Sequence, residues 1–306
     1  MNYKCNNIQS KRQQTFRCSI KKEYYFWNTM KRLLIASGLV LSLAACGSDN
    51  NTSNESATED VQGSFAPIIK GSWIMTDYVA ALKSTKSPMA AAGTLKGIVA
   101  MDIDPEPYSG DTVIVAANVN NNENATFYMM YRKGHSDRSL ITAQIDNSND
   151  GSFYELSYDI DGDDTILFLN HYNANKQLAD SRQYIRITGP QSDDGQPYGL
   201  TYMANKVLLA GTYNVTDETG KTMEATLTDD GLVTGLGHHT TYFIFTDFTG
   251  DIETNLDEML FDEHTKTQKG YIFEIKGDTT LLYQALENDD RTQLIRGDLK
   301  YTMVRK

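Results

Sequence analysis

From residue 68 onward, apolar and polar side chains alternate in short runs separated by turn formers. This is the period-two signature of strands with one buried face. In the first half the runs predict strands at 72–77, 97–103, 112–118, 126–132, 140–146, 153–160, 165–172 and 182–188. The breaks carry Pro-Glu-Pro-Tyr-Ser-Gly-Asp, Asn-Asn-Asn-Glu-Asn, Asn-Asp-Gly and Asp-Gly-Asp-Asp, which favour turns. Eight short strands in succession predict an antiparallel up-and-down meander closing into a barrel. One segment departs from the alternation. Ser87 is placed as an N-cap, Pro88 takes the first helical position, and a short helix runs through Lys96 until Gly97 stops it.

The stretch 189–199 (GPQSDDGQPYG) holds two prolines, three glycines and two aspartates, and reads as a linker at 189–200. Strand texture then resumes at 211–215, 222–228, 232–235, 242–247, 258–261, 271–275, 280–285 and 301–305. No proline follows Pro197, which suits regular pleated strands. The expected fold is all-β: two antiparallel up-and-down eight-stranded barrels at 67–188 and 201–306, the first with a short helical insertion.

The N-terminal region has a different character. Met30 is followed by Lys31, Arg32, a 13-residue apolar stretch (33–45) and Cys46. A basic start, a short apolar core and small residues before a cut site describe an export signal, too short for a membrane-spanning helix. The junction Leu43-Ala44-Ala45-Cys46 resembles a bacterial lipobox. The resemblance implies a lipoprotein: cleavage before Cys46, diacylation of its thiol and acylation of the new amine. Gly47 at the next position is similar to signals that sort lipoproteins to the outer membrane, so the expected place is the cell envelope, contacted through acyl chains. Residues 1–29 are basic and aromatic, which is unusual ahead of such a signal; the expectation is a mis-assigned start, with translation beginning at Met30. Residues 47–63 are polar, so 46–66 is expected to be a flexible tether. Its root-mean-square reach is about 20–25 Å.

Composition narrows the function classes. Hydrophobic residues make up 40% of the 306-residue chain, enough for a core. The formal net charge is −12. Removing the eight basic residues and one glutamate of 1–45 leaves 20 basic against 39 acidic, a net charge of −19. Such a body repels anionic headgroups and lacks the basic surface that nucleic acid requires. The three cysteines are Cys5, Cys18 and Cys46, so the processed chain has no second thiol for a disulfide, a zinc site or a nucleophile.

The halves read as diverged repeats. The first opens with Lys70-Gly71-Ser72-Trp73 and ends its last strand with Tyr184-Ile185-Arg186. The second opens with Ala210-Gly211-Thr212-Tyr213 and closes with Tyr301-Thr302-Met303-Val304-Arg305. Glycine, any residue and an aromatic at the first strand, with an arginine on the last, resembles the lipocalin-like (calycin) barrels. The resemblance implies that the aromatic plugs one barrel end and the arginine packs over it. The 87–96 helix is similar to the lid of intracellular fatty-acid binders of the same superfamily.

A hollow first barrel would be lined, by alternation, by Trp73 and Met75, by Phe127, Met129 and Tyr131, and by Leu167, Leu169 and His171, with Arg186 at the end. A core filled by side chains is the competing expectation. Asp-rich turns at 146–151 and 159–164 raise calcium. The first, however, has Ser157 where an EF-hand needs glutamate, and the second is more simply a hairpin; no cofactor is expected. Of the five histidines, adjacent His238 and His239 would point to opposite faces if extended, His135 and His264 sit in polar surroundings, and His171 lies in an apolar strand. There is no nucleophile elbow, H-E-x-x-H or phosphate loop. The expected function is therefore non-catalytic: a monomeric, lipid-anchored binder of a small apolar or amphipathic ligand. The alternative is a surface lipoprotein that binds macromolecules through its loops, its barrels filled by side chains.

Overall fold

The computed structural model describes residues 52–120, 123–145, 150–188, 199–248 and 255–306. The export signal and Cys46, residues 146–149 of the first Asp-rich turn (146–151) and most of the 189–200 linker lie outside the described residues.

The first half is a closed barrel of eight antiparallel strands in sequence order. They are β1 (Gly71–Met75), β2 (Ile98–Ile103), β3 (Thr112–Val119), β4 (Glu123–Lys133), β5 (Ser139–Ala143), β6 (Phe153–Asp161), β7 (Asp164–Tyr172) and β8 (Leu178–Arg186). Closure comes from β8 returning to β1, with Trp73 opposite Arg186 and Met75 opposite Tyr184. Alternation decides what points inward: on β4, Phe127, Met129 and Tyr131 are buried while Tyr128 and Met130 are half-buried. The 159–164 turn is the tight hairpin between β6 and β7, with Asp161 paired to Asp164 across Gly162.

The tether expected at 46–66 is corrected over most of its length, because Thr52–Ile69 is an 18-residue helix. Val61, Phe65, Ile68 and Ile69 recur at helical spacing and pack on the barrel core, Phe65 and Ile69 at 2% and 1% exposure. Phe65 meets the Tyr158 ring edge-on at 5.3 Å. A polar stretch with an apolar stripe at its end becomes a helix once a barrel end is there to receive it.

The helical insertion is longer than the 87–96 segment. Thr76–Thr85 is already helical directly after β1, then Pro88–Ala91 and a 3-10 turn at Ala92–Thr94 follow. Ser87 caps as expected, accepting from the Ala90 N–H at 3.0 Å, and Gly97 turns the chain at φ 67°.

The second half is antiparallel β as expected, but it is not a second closed barrel. Its strands are β9 (Gly211–Asp217), β10 (Thr222–Leu227), β11 (Val233–Thr234), β12 (Tyr242–Ile244), β13 (Glu258–Phe261), β14 (Lys269–Lys276), β15 (Thr279–Glu287) and β16 (Leu294–Arg305). They form one sheet in the order β11-β10-β9-β16-β15-β14-β13-β12. The edges meet at the isolated bridge Leu232↔Thr241, supported by the Val233 N–H bond to the Thr240 carbonyl at 2.8 Å and the Tyr242 N–H bond to the Gly231 carbonyl at 2.7 Å, rather than along a ladder. Closure fails because the edge strands are two and three residues long. The chain between them spends its residues on turns, with Gly235 and Gly237 both at positive φ.

A helical turn at Leu200–Ala204, running on through Asn205–Leu209, leads into β9. It packs with the 76–85 helix, and one cluster of buried side chains runs from the barrel through Tyr78 and Leu82 to Leu200, Leu208 and the second sheet. The Met89 N–H donates to the Asp257 carboxylate at 2.8 Å. The segment expected to resemble a lid is thus docked on the second half.

A candidate binding cleft at the open end of the second sheet

The residues nominated for the first barrel are brought together, but as packed interior. Trp73, Met75, Phe127, Met129, Tyr131, Leu167 and Leu169 are each no more than 4% exposed. A void large enough for water would leave open surface on its walls, and these side chains have almost none. His171 lies beyond Leu169 on the same face and stacks on Tyr154 at 4.4 Å, its Nε2 buried without a hydrogen-bond partner.

Side chains of β8 tie the barrel to the segments that enter it. Arg182, Tyr184 and Arg186 alternate onto the inner face. Arg186 donates to the carbonyls of Ile68 and Lys70, at the end of the 52–69 helix, and Arg182 donates to the Lys96 carbonyl. Between them the Tyr184 hydroxyl donates to the Ile98 carbonyl at 2.8 Å.

The second sheet has the same closed end and a different opposite end. At the closed end the Tyr213 hydroxyl donates to the Leu209 carbonyl at 2.7 Å, and Arg305 donates to the carbonyls of Ala210 and Leu208 at 2.6 and 3.0 Å. Further along the same inner face the apolar row Val215, Leu282 and Phe273 gives way to polar groups. Asp217 is opposite Tyr301, and Tyr271 is opposite Gln284. Pairing passes from Leu282–Tyr301 to Tyr283–Leu299, so Lys300 is an extra residue of a bulge that turns it toward the same place.

These groups line a cleft of about 360 Å³, together with Glu218, Thr219, Gln268, Lys269, Gly270 and Ala285. That volume is within the range of small-molecule sites, and barrel mouths are a common place for them. Most charges in it are already engaged. Asp217 accepts from the Thr219 hydroxyl at 2.7 Å and from the Thr219 and Lys221 N–H groups, which hold its carboxyl below the usual range. Lys300 bonds Glu218 at 2.6 Å, which raises its ammonium above the ordinary value. Burial, the neighbouring Tyr301 and Glu218 push the Tyr271 phenol upward, so it stays protonated and can donate.

Beside the cleft stands a histidine–carboxylate pair. His239 Nδ1 lies 2.7 Å from Asp262 Oδ2, both side chains nearly buried. Burial pushes the Asp262 carboxyl up, but bonds from the Thr240 N–H and hydroxyl, His239 and the Thr241 N–H outweigh it and hold it at about 2. An ionised Asp262 accepts from His239 Nδ1, so Nδ1 is the donor in that contact. The imidazole stacks on Phe261 at 4.5 Å and meets the edge of Tyr271 at 6.3 Å. A second pair sits on the barrel's outer face. His135 Nδ1 lies 2.7 Å from the buried Glu155 carboxylate, and the ring lies parallel to Phe153 and Tyr172.

The sequence reading missed Gln284 and Tyr301, although a signal existed. They fall in step with Leu282 and Met303 on the buried face, and a polar residue in a buried register is the mark of an inner site. Asp262 and Glu155 carried no such mark, because their histidines arrive from loops. The chain matches no protein-family model and no curated protein sequence.

Proposed function

We propose that this chain is a monomeric, non-catalytic, lipid-anchored binding protein of the bacterial outer membrane, with a filled first barrel and a small polar ligand held at the open end of the second sheet. The observation that carries the reading is the inward-facing polar row Asp217, Tyr301, Gln284 and Tyr271 at the mouth of a sheet whose other end is packed. Of this row, Asp217 is bonded by its own turn and Tyr271 by Tyr301, which leaves the inward Gln284 amide to bond a ligand. In the same proposal Cys46 carries the lipid, and the halves are diverged lipocalin-like units. The matched placement of Gly71, Trp73 and Arg186 with Gly211, Tyr213 and Arg305 supports that kinship.

Two measurements test the proposal. Wild-type protein should partition into detergent on Triton X-114 separation and incorporate labelled palmitate, and Cys46→Ser should do neither; equal partitioning ends the anchor. Native mass spectrometry of the intact protein should detect a small polar molecule carried by wild type and lost from Thr219→Trp, placed to block the rim. Identical spectra with equal stability end the cleft. The loop-binding alternative draws on the filled first barrel, and a macromolecular partner that Thr219→Trp leaves in place would favour it.

A further inference from the structure

We infer that the ligand of the second sheet's mouth is a neutral polyhydroxylated molecule of the saccharide class, recognised by the Gln284 amide and the Tyr301 phenol. This rests on the binding reading above. The argument begins with charge. The cleft lining holds two acids, Asp217 and Glu218, and two lysines, Lys269 and Lys300. An anion would meet both carboxylates and a cation both ammonium groups, so neither gains a net field.

An apolar ligand is disfavoured for a different reason. Thr219, Gln268, Gln284 and the two tyrosines would lose water without a replacement bond. A ligand rich in hydroxyls supplies donors and acceptors together and needs no charge.

The groups free to bind it can be named. Asp217 is taken up by its own turn, Lys300 by Glu218, and the Gln268 carbonyl by the His264 N–H at 2.9 Å. Gln284 stands half-buried on the inner face opposite Tyr271, and its amide offers two donors and an acceptor. Tyr301, half-buried and set against Tyr271 with ring centres 5.8 Å apart, adds an aromatic surface, and its hydroxyl, already bonded with that of Tyr271, keeps capacity for one further bond.

The test is isothermal titration of the full chain with neutral trisaccharides (maltotriose, cellotriose and tri-N-acetylchitotriose), trigalacturonate, trilysine and palmitate. A neutral trisaccharide should bind. Gln284→Ala and the size-conserving Gln284→Glu should each weaken it at least tenfold with unchanged melting temperature, while Lys83→Ala, exposed on the 76–85 helix and outside the cleft lining, stays within twofold. Binding of trigalacturonate or trilysine, weakened by Lys269→Ala or Glu218→Gln respectively and blocked by Thr219→Trp, overturns the saccharide class but leaves the cleft as a binding site. No binding by any probe, or binding that Gln284→Ala and Thr219→Trp both leave intact, overturns the ligand class and counts against the cleft as well.

Discussion

The Arg186 guanidinium lies 4.3 Å from the centre of the Trp73 ring while donating to the Ile68 and Lys70 carbonyls. Trp73 itself donates from Nε1 to the Ile69 carbonyl at 2.8 Å, so three consecutive carbonyls at the helix end are satisfied by one ring and one cation. Arg305 repeats the arrangement over Tyr213 at 5.2 Å. In both halves the arginine fastens the incoming helical segment to the sheet it closes. The positive charge also sits at the negative end of a helix, a favourable placement.

Arg186→Gln should therefore loosen the helix end and uncover Trp73 together. The expected loss is about 1–3 kcal/mol, from charge-assisted bonds and the lost cation–ring contact. Urea melts followed by tryptophan fluorescence report it directly, since Trp73 is the only tryptophan after residue 30. An unshifted midpoint with unchanged emission would remove Arg186 from this role.

Gly71→Ala tests the same contact from the other side. Gly71 has φ 116°, which side-chain-bearing residues rarely adopt, and an added Cβ would sit 3.2 Å from Arg186 Nη1. Strain of this kind costs on the order of 1–3 kcal/mol. If Gly71→Ala melts like wild type, the glycine is not what gives the arginine its room.

These residues also show what the sequence could and could not tell. Strand positions were legible because Phe127, Met129 and Tyr131 alternate with outward residues whether the lumen is filled or empty. Filling was not legible, because it depends on how Trp73, Met101 and Tyr184 meet across strands far apart in sequence. The second half misled because the alternation near 232–235 and 242–247 is genuine but supports only two and three paired residues. The helix at Thr52–Ile69 was hidden by a polar composition that masked the stripe from Val61 to Ile69.

Asp262 gives the second sheet an acid-sensitive point. Its carboxyl is held at about 2 in the folded chain, against about 3.9 in an unfolded one. A depressed folded pKa contributes stability above the unfolded value, and the contribution disappears as pH falls from about 4 to about 2. Asp262→Asn should lower stability by roughly 1–3 kcal/mol at pH 7 and flatten the acid limb. Melting curves at pH 7, 4 and 2 check this; parallel profiles for wild type and variant would count against it.

Asp257 has the opposite sign. Burial raises its carboxyl above the usual range, only partly offset by Ser87 and the Met89 N–H. A raised folded pKa means that the protonated form is relatively favoured in the native chain, so this residue's contribution weakens as pH rises through its folded pKa. Asp257→Asn keeps an acceptor for the Met89 N–H and removes the buried charge. Its stability relative to wild type should improve from pH 4 to pH 7; a relative fall over that interval would show that the charge is needed for docking.

The shared core should make the two halves unfold as one unit. Leu82 is fully buried in the 76–85 helix, which packs on the segment leading into β9. Truncating it leaves a cavity between the halves rather than within either, and such Leu→Ala changes cost about 2–5 kcal/mol. In a cooperative molecule that cost falls on both sheets, so Leu82→Ala should lower hydrogen-exchange protection equally in β3 of the barrel and β15 of the second sheet. A two-domain molecule behaves differently: protection falls around Leu82 in the first half while β15 keeps its wild-type rate. Exchange mass spectrometry resolves the two strands, and retained protection in β15 alone would show that the junction joins the halves without coupling their stability.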